Sequence, residues 1–523
     1  MSSTASWGST ASSPAGRSRC RGRARPHRVG DRLVWFRDAV VYQVYPRSFQ
    51  DADGDGIGDL KGITARLSHI AGLGADAVWM SPTFPSPGFD WGYDVSDYRG
   101  VHPDFGTLAD MDELVAVAHD LGLRVLLDLV PCHTSIEHPW FREHPDWYVW
   151  SDRDGPQNNW RATFGGPAWS KDPHGRGWYL HSFYPEQPDL DWRNPEVPRA
   201  FGDVLRFWLD RGVDGFRLDA LDRLLKDPEL RDDPVATAPP PLPIGNPEHA
   251  ALEHVHSRDA PDIASAIASL REAAGDAYLV GEVYLPTQGL APYLEHLDAC
   301  FSFELFHAGW TAAEVRDALG QAERLGLGEL AWVLSNHDFP RLPTRVGERH
   351  VRAAAMLLLL LPGAAFVYQG DELGVPDGPR PDPPLDRAGR DAYRTPMPWD
   401  DGPARGFTTG TPWLPTYAQP GVDLAAQEAD PGSTLHLYRD LIALRRGLPM
   451  DLDLLEDVHP DMVAFRRGDV LVALNLGEQR VPAPAVQEVL RHTHDPERRA
   501  PVGHLGPGEG FVARAGSRAP ATG

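Results

Sequence analysis

From residue 35 onward, short runs of apolar, β-forming residues alternate with segments that repeat apolar residues at helical spacing. This alternation constrains the fold strongly, because parallel strands need a long crossover between them, usually a helix. Eight such runs predict an α/β protein built as a closed (β/α)8 TIM barrel. The predicted strands are residues 40–45, 76–80, 124–129, 214–218, 278–281, 299–303, 331–335 and 364–368.

Two connections between predicted strands are longer than one crossover helix requires. The stretch between the third and fourth strands is too long for a single loop, so we expect an inserted subdomain at residues 131–190. It carries several tryptophans, for which core packing is the expected role and stacking on a ligand the alternative. Residues 227–256, rich in proline and acids, predict an irregular loop over the strand ends.

The two ends of the chain differ in pattern from the predicted barrel, which comprises residues 35–130 and 191–444. Beyond residue 444, strand-like stretches separated by turns predict a C-terminal antiparallel β domain at 445–515. Residues 1–34 combine Ser, Gly and Arg without an apolar segment, so we expect a disordered tail or an over-long start, and not a secretion signal. A basic interaction arm is the alternative for this segment.

Composition limits the class of partner and the compartment. The formal net charge of −24 argues against nucleic acid, whose phosphates would be repelled, and is compatible with a small neutral ligand. The longest apolar run, at residues 353–361, is about half of a membrane span, so no membrane insertion is expected. Three cysteines are too few for a disulfide framework, which favours the cytoplasm. We expect a monomer or a homodimer.

Three of the predicted strands are followed by acids at the end where barrel proteins carry their active sites. Taken alone, each acid is explained as well by a helix cap or by an ion pair with arginine. Taken together, they supply the nucleophile, the acid and the charge stabiliser that cleavage of a glycosidic bond needs. The set consists of Asp219, Glu282 and Asp338, with Arg217, His133 and His337 at the same end of the barrel.

Six segments combine into a specific pattern. They are DLVPCHTS at 128–135, QPDLDW at 187–192, GFRLD at 215–219, GE at 281–282, NHD at 336–338 and RTPMPW at 394–399. Over residues 35–515 the chain thereby resembles the α-amylase superfamily (glycoside hydrolase family 13), and within it the α-glucosidase and oligo-1,6-glucosidase branch. The resemblance implies that Asp219 is the nucleophile, Glu282 the general acid/base and Asp338 the stabiliser of the transition state.

The order of ionisation can be argued from the strand itself. Arg217 precedes Asp219 by two residues, so both side chains face the same way and the arginine is expected to keep Asp219 ionised. That leaves Glu282 as the carboxyl with the raised pKa that a general acid needs.

The resemblance also implies substrate-binding residues. His133 and His337 are expected to donate hydrogen bonds to the sugar; metal ligation is the alternative, but neither has a His or Cys partner at ligand spacing. Asp94 and Arg394 are expected to clamp the terminal glucose, which closes one end of the site and makes cleavage exo-acting. For Asp94, structuring its own loop is the alternative.

Residues 51–59 place acids at alternate positions around glycines, a pattern that wraps Ca²⁺. The twelfth position is Gly62, so the loop is not an EF-hand. The family resemblance implies one structural Ca²⁺ or Mg²⁺ site, with no role in catalysis, and a metal-free polar turn is the alternative. The implied ligands are Asp51, Asp53, Asp55, the carbonyl of Ile57, and Asp59.

Cys132 departs from the family pattern, which usually has Asn before the third-strand histidine. A thiol cannot replace the hydrogen bonds of an amide, so local rigidity is expected to change. The sequence also predicts that a small thiol reagent inhibits the protein and that substrate protects it.

The sequence therefore predicts a retaining, exo-acting α-glucosidase that acts on small neutral oligosaccharides through a glucosyl-Asp219 intermediate. In this branch the residue after the nucleophile tends to be Val in α-1,6-specific enzymes and a smaller residue in α-1,4-specific ones. The resemblance therefore implies that Ala220, whose small side chain leaves space near the leaving sugar, favours α-1,4 bonds of maltose and short oligosaccharides. The alternatives are an oligo-1,6-glucosidase or a transglycosylating or isomerising relative, such as a trehalose synthase or a sucrose-acting enzyme. A non-catalytic transporter subunit or a sugar-binding module is disfavoured, because neither needs three converging carboxylates.

Overall fold

The computed structural model describes residues 35–240, 242, 245–417 and 419–515, apart from the side chain of residue 327. It also describes the backbone of two short antiparallel strands, Arg28–Val29 and Arg32–Leu33. These strands belong to a unit of residues 1–35 that is separate from the compact unit of residues 36–523. The rest of the predicted tail at 1–34 lies outside the described residues.

Eight parallel strands close into a barrel, which confirms the predicted fold class. Consecutive strands pair side by side, and the last strand closes on the first, with Phe366 opposite Val41. Nearly every strand residue is buried, as expected where helices cover a parallel sheet. The strands are β1 (Val40–Val44), β2 (Ala77–Met80), β3 (Arg124–Leu129), β4 (Gly215–Leu218), β5 (Tyr278–Gly281), β6 (Ala299–Ser302), β7 (Leu330–Val333) and β8 (Ala364–Tyr368).

The helices begin and end at residues whose chemistry favours those positions. The Asp59 carboxylate accepts a hydrogen bond from the Gly62 amide at the start of the first helix, and Gly74, at φ 97°, ends it. No helix within the described ranges is long and apolar enough to cross a membrane. The helices are α1 (Leu60–Leu73), α2 (Leu108–Asp120), α3 (Pro139–Glu143), α4 (Glu196–Leu209), α5 (Ile263–Ala274), α6 (Ala291–Leu294), α7 (Phe303–His307), α8 (Ala312–Leu325), α9 (Leu342–Val346), α10 (Val351–Leu360), α11 (Leu424–Ala429) and α12 (Thr434–Arg445).

The segment between β3 and α4 forms a lobe with its own short hairpin, Trp169–Lys171 with Trp178–Leu180. Trp160 and Trp169 are buried in a small core there, so core packing is the role that the structure gives them. The loop after β4 packs against this lobe, where the Trp160 indole donates to the Arg231 carbonyl at 2.9 Å. Lobe and loop together wall the C-terminal end of the barrel.

An antiparallel sheet follows α12. Its strands are β9 (Asp453–Leu454), β10 (Met462–Arg467), β11 (Val470–Asn475), β12 (Glu488–His492) and β13 (Gly510–Arg514). Their order in the sheet is β9-β10-β11-β13-β12. The same stretch of the chain contains a separate pair of two-residue strands, Val481–Pro482 and His504–Leu505.

Two buried arginines join this sheet and α12 to the barrel. Arg445 donates to the Leu359 and Leu361 carbonyls at 2.7 and 2.6 Å, where α10 ends. Arg467 donates to the Leu360 carbonyl at 3.2 Å. Both guanidinium groups face Asp38, at 3.1 and 3.4 Å. The last turn of α10 is thus held by charged donors from both neighbours.

Candidate active site

Arg217 is the centre of the cluster at the strand ends. Its guanidinium lies 2.5 Å from Asp219, 2.7 Å from Glu282 and 2.8 Å from Asp128. The sequence predicts that Arg217 keeps Asp219 ionised, and the structure adds Asp128 and Glu282 as further partners of the guanidinium. The difference arises because β3, β4 and β5 are neighbours in the barrel, so acids from three strands reach one cation.

The acids of the cluster ionise differently. Burial raises the pKa of Glu282 to about 8 and that of Asp219 to about 7, and the Arg217 charge opposes both shifts. Burial likewise raises the pKa of Asp128 to about 7. Glu282 therefore retains its proton to the highest pH of the three, which is the order that the sequence predicts for it and Asp219.

Asp338 is ionised by its surroundings. One of its oxygens lies 3.0 Å from both Arg390 and Arg394, and the other lies 3.2 Å from His337. Burial opposes ionisation, but the neighbouring histidine and two arginines hold the pKa of Asp338 well below its usual range. A fixed negative charge thus stands beside Asp219 and Glu282.

The cluster opens into a pocket of about 400 Å³. Both the barrel and the lobe contribute to its wall, and the loop after β4 adds Gly245 and Asn246. The catalytic candidates lie together on this wall. The wall includes Asp90, Tyr93, His133, Phe164, Phe183, Asp219, Ala220, Asp222, Arg223, Glu282, Asp338, Arg387 and Arg390.

The two predicted histidines differ in position. His133 lines the pocket, and its Nδ1 has no hydrogen-bond partner within the described part of the chain. His337 is fully buried beside Tyr93, whose hydroxyl lies 2.8 Å from its Nε2. Tyr93, whose ring stacks on the His337 imidazole, lines the pocket. That His337 contacts a sugar stays a prediction.

His337 is neutral and part of a buried relay. The Gln43 amide nitrogen lies 2.9 Å from its Nδ1, which leaves the Nε2 hydrogen for Asp338 or Tyr93. Burial lowers the pKa of His337 to about 3, opposed by Asp338. Its role is therefore to position Tyr93 and Asp338.

Asp94 does not reach the pocket. Its carboxylate is fully buried and accepts hydrogen bonds from the Ser86 hydroxyl and from the Phe89 and Asp90 amides, at 2.7 to 2.9 Å. Burial raises the pKa of this carboxyl to about 6. These contacts are those of the alternative role, in which Asp94 structures its own loop, and the clamping of a sugar by Asp94 stays a prediction.

Asp90 occupies the place that the sequence assigns to Asp94. It lines the pocket, with one oxygen 2.6 Å from Arg390 and the other 3.0 Å from the Gln187 amide. The sequence did contain a local signal for Asp90, because an aspartate carboxylate can accept a hydrogen bond from the residue four positions before it across a turn, as Asp94 does from the Asp90 amide. Which of the two turns inward depends on backbone direction, which the sequence pattern does not reveal.

Arg394 likewise stands behind the pocket wall. It is buried and donates to Asp338, to the His337 carbonyl and to the Tyr45 hydroxyl. Arg390 is part of the pocket lining and Arg394 is not, so the binding of a sugar by Arg394 stays a prediction.

Arg390 is the functional arginine that the sequence did not single out. It contacts Asp90, Asp338 and Asp386 at 2.6, 3.0 and 2.8 Å. The spacing of Asp386, Arg390 and Arg394 at intervals of four is a signal that could have indicated it.

Ala220 follows the nucleophile candidate in a left-handed conformation, at φ 47°. Its amide donates to Glu282 at 3.3 Å, and its side chain lines the pocket. Backbone strain of this kind persists where surrounding contacts impose it, and it is frequent at active sites.

Cys132 is fully buried, and its thiol lies 3.6 Å from the Arg223 carbonyl. Burial raises the pKa of the thiol above its usual value, so the reactive thiolate is scarce. Cys132 is not part of the pocket wall. The structure therefore argues against the predicted inhibition by thiol reagents, because the group is neither reachable nor activated.

The acidic loop at residues 51–59 brings three carboxylates together. Oxygens of Asp51, Asp53 and Asp59 lie within 4.8 Å of one another, and Asp55 is outside this group. The Asp55 carboxylate accepts instead from the Ile57 amide at 2.7 Å. Three converging carboxylates are a donor set that suits hard cations such as Ca²⁺ or Mg²⁺.

Comparison with known proteins identifies two matching families. The family described as "Alpha amylase, catalytic domain" matches residues 43–450, and a domain of unknown function, DUF3459, matches residues 456–512. A probable alpha-glucosidase of Rhizobium meliloti (strain 1021) is 44% identical over 464 residues, 79% of this chain and 83% of that protein. An oligo-1,6-glucosidase of Parageobacillus thermoglucosidasius is 36% identical over 484 residues, 79% and 84% of the two chains.

Solved structures of similar fold include an alpha-glucosyl transfer enzyme and a trehalulose synthase. The alpha-glucosyl transfer enzyme XgtA superposes with a TM-score of 0.85 at 38% identity, over 92% of this chain and 99% of that one. The trehalulose synthase MutB gives a TM-score of 0.81 at 30% identity, over 92% of this chain and 100% of that one.

Proposed function

The chain belongs to the alpha-amylase family of glycoside hydrolases, and we propose that it is a retaining, exo-acting α-glucosidase. Its proposed substrates are terminal α-glucosidic bonds, α-1,4 in preference, of maltose and short oligosaccharides. The observation that carries the proposal is the shared guanidinium of Arg217, 2.5 Å from Asp219 and 2.7 Å from Glu282.

The short bridge favours a retaining mechanism. Two carboxyls that contact one guanidinium are close enough for the roughly 5 Å separation of retaining enzymes, whereas inverting enzymes need about 6.5 to 9.5 Å to admit a water. Asp219 attacks the anomeric carbon when ionised, and Glu282 donates its proton to the leaving oxygen. The C–O bond to the leaving group breaks as the glucosyl-Asp219 ester forms.

Asp338 and the residues around it support the same mechanism. Its fixed negative charge opposes the positive charge that develops on the sugar ring. Water, activated by the now ionised Glu282, then attacks the ester and releases glucose with its α configuration retained.

The exo-acting mode rests on the end of the pocket formed by Asp90 and Arg390. Their ion pair at 2.6 Å is tied to Asp386 and Asp338, so this wall is rigid and polar. A carboxylate and a guanidinium side by side suit the adjacent hydroxyls of a terminal glucose.

A transglycosylating activity is the second candidate. The structural similarity to an alpha-glucosyl transfer enzyme favours it, and a trehalulose synthase shares the fold. An acceptor sugar in place of water would resolve the glucosyl-Asp219 intermediate.

We also propose that Asp51, Asp53 and Asp59 hold one structural Ca²⁺ or Mg²⁺ ion, which would stabilise the loop and take no part in catalysis. The acidic loop fits such an ion by its donor set, and Asp51 and Asp59 already accept backbone amides that fix their orientation. The proposal of a cytoplasmic location rests on the low cysteine content alone.

The proposed function is tested with Asp219→Asn. We expect the rate of glucose release from maltose to fall about 10⁴-fold or more, because the nucleophile is removed, with the unfolding temperature little changed. The product from the wild-type protein, followed by NMR, should be α-glucose at first. Initial β-glucose, or full activity of the variant, contradicts the mechanism.

A further inference from the structure

Arg223 is a buried cation on the side of the pocket from which the leaving group departs. It ends the turn Leu221–Arg223 directly after β4, is 3% exposed and lines the pocket. Its backbone amide donates to the Ala220 carbonyl at 3.0 Å, and the Ala220 amide donates to Glu282 at 3.3 Å. Because Glu282 must face the leaving oxygen, Arg223 lies near the group attached to that oxygen.

The guanidinium of Arg223 has no acidic partner. Among the described residues no carboxylate lies within ion-pair distance of it, and its nearest polar contact is His249 Nε2 at 3.3 Å. Arg217 and Arg390, the other buried arginines of the site, each contact three acids. Asp222, on the same wall as Arg223, is held by Arg258 at 3.2 Å.

An unpaired cation in a buried wall is costly unless a ligand supplies the opposite charge. Burial lowers the pKa of the Arg223 guanidinium, and the more distant Asp222 charge only opposes this shift. The face of Phe183 lies 5.2 Å from the guanidinium and replaces water on that side. The environment therefore favours an anion more than a neutral hydroxyl.

Two aromatic rings separate this cation from the glucose end of the pocket. Phe164 lies 5.4 Å from Arg390, Phe183 lies 5.8 Å from Phe164, and Arg223 follows at 5.2 Å from Phe183. An anion at Arg223 would consequently belong to the leaving part of a substrate and not to its terminal glucose.

We propose that Arg223 binds a carboxylate or phosphate on the leaving group, so that the preferred substrates are α-glucosides of acidic aglycones. The proposal rests on the function proposed above, since it uses Glu282 as the acid on that side. The substrate proposed here differs from a wholly neutral oligosaccharide, because it carries an anionic oxygen beside the scissile bond.

Matched substrates test it. Maltobionate and maltitol carry the same glucosyl group and open-chain aglycone and differ only in a carboxylate against a CH₂OH group. We expect kcat/KM for maltobionate to exceed that for maltitol about 10-fold or more in the wild-type protein, because hydrogen bonds to a charged group are strong. Maltitol phosphorylated on the same terminal carbon distinguishes phosphate from carboxylate.

Variants locate the effect. Arg223→Gln should bring the maltobionate to maltitol ratio close to 1, whereas Arg223→Lys should retain most of it. Arg387→Gln is the matched control, because Arg387 lines the same pocket but is already paired with Glu186 at 3.2 Å, and its ratio should not change.

Each result decides one of the two proposals. A wild-type ratio near 1, or an equal fall in the Arg387 control, contradicts the binding of an anion by Arg223, and the wild-type ratio is measured whether or not a variant folds. Failure to cleave maltose, maltitol and maltobionate alike contradicts instead the α-glucosidase function.

Discussion

At the scale of single residues, the site depends on a small number of arginines that each pair with several carboxylates. Arg217 and Arg390 each contact three carboxylates, so removal of one acid changes the ionisation of the others. Burial is the largest cause of the raised pKa of Glu282, the charges of Asp219 and Asp338 raise it further, and the shared Arg217 opposes the shift.

The ionisation order predicts a bell-shaped pH dependence. Activity requires ionised Asp219, so kcat/KM should fall as the pH drops through about 7, the pKa of that group. It also requires protonated Glu282, so kcat/KM should fall as the pH rises through about 8. A pH profile of maltose hydrolysis measures both limbs, and an optimum near pH 5 would contradict the raised pKa values of the two carboxyls.

Asp90 and Asp94 offer a pair of variants that separates binding from folding. Asp90→Asn should lower kcat/KM about 100-fold with little effect on unfolding, because the pocket loses the partner of Arg390. Asp94→Asn should reduce stability by about 1 to 2 kcal/mol, because the loop loses accepted hydrogen bonds, with a smaller effect on kcat/KM. Kinetics and thermal unfolding of both proteins check this, and reversed effects would restore Asp94 as the sugar ligand.

At the scale of elements, strands are more readable in the sequence than loops. The eight strands were predictable because a buried parallel strand is an unbroken apolar run, and Arg217, Asp219 and Glu282 follow from their position on β4 and β5. Asp90 and Arg390 were not, because they lie on the loops after β2 and β8, and the paths of those loops bring them together. Asp94 and Arg394, in the same loops, have equally suitable side chains, and backbone direction alone separates them.

The acidic loop at residues 51–59 predicts a dependence on divalent cations. Addition of Ca²⁺ to protein freed of metal by a chelator should raise the unfolding temperature. The free energy of unfolding should rise by up to about 4 kcal/mol when the ion concentration is far above its Kd. Asp51→Asn should abolish the rise, and Asp55→Asn, outside the three-carboxylate group, should retain most of it. Identical melting curves with Ca²⁺ and with chelator would support the metal-free turn.

At the scale of the whole molecule, the C-terminal sheet and the barrel share buried charge. Arg445 and Arg467 donate to the carbonyls at the end of α10 and face Asp38 from two directions. An element that supplies hydrogen bonds to the last turn of a buried helix is part of that helix's stability. The sheet is therefore expected to unfold with the barrel.

Arg467→Met tests this coupling. We expect a loss of about 3 kcal/mol, because buried carbonyls and Asp38 lose a charged partner, and one transition in calorimetry. Arg514→Met, on the same sheet with a side chain 58% exposed, is the control and should change little. Two separate transitions, with activity surviving the first, would show that the domains are independent.

The left-handed backbone at Ala220 limits which side chains this position of the pocket wall can accept. A larger, β-branched side chain at that position would have to enter a conformation that such residues rarely adopt, in addition to filling the space beside the leaving sugar. A substitution of this kind would thus meet a conformational barrier as well as a steric one. Glycine meets neither barrier, so this position accepts substitutions that open the pocket more easily than substitutions that fill it.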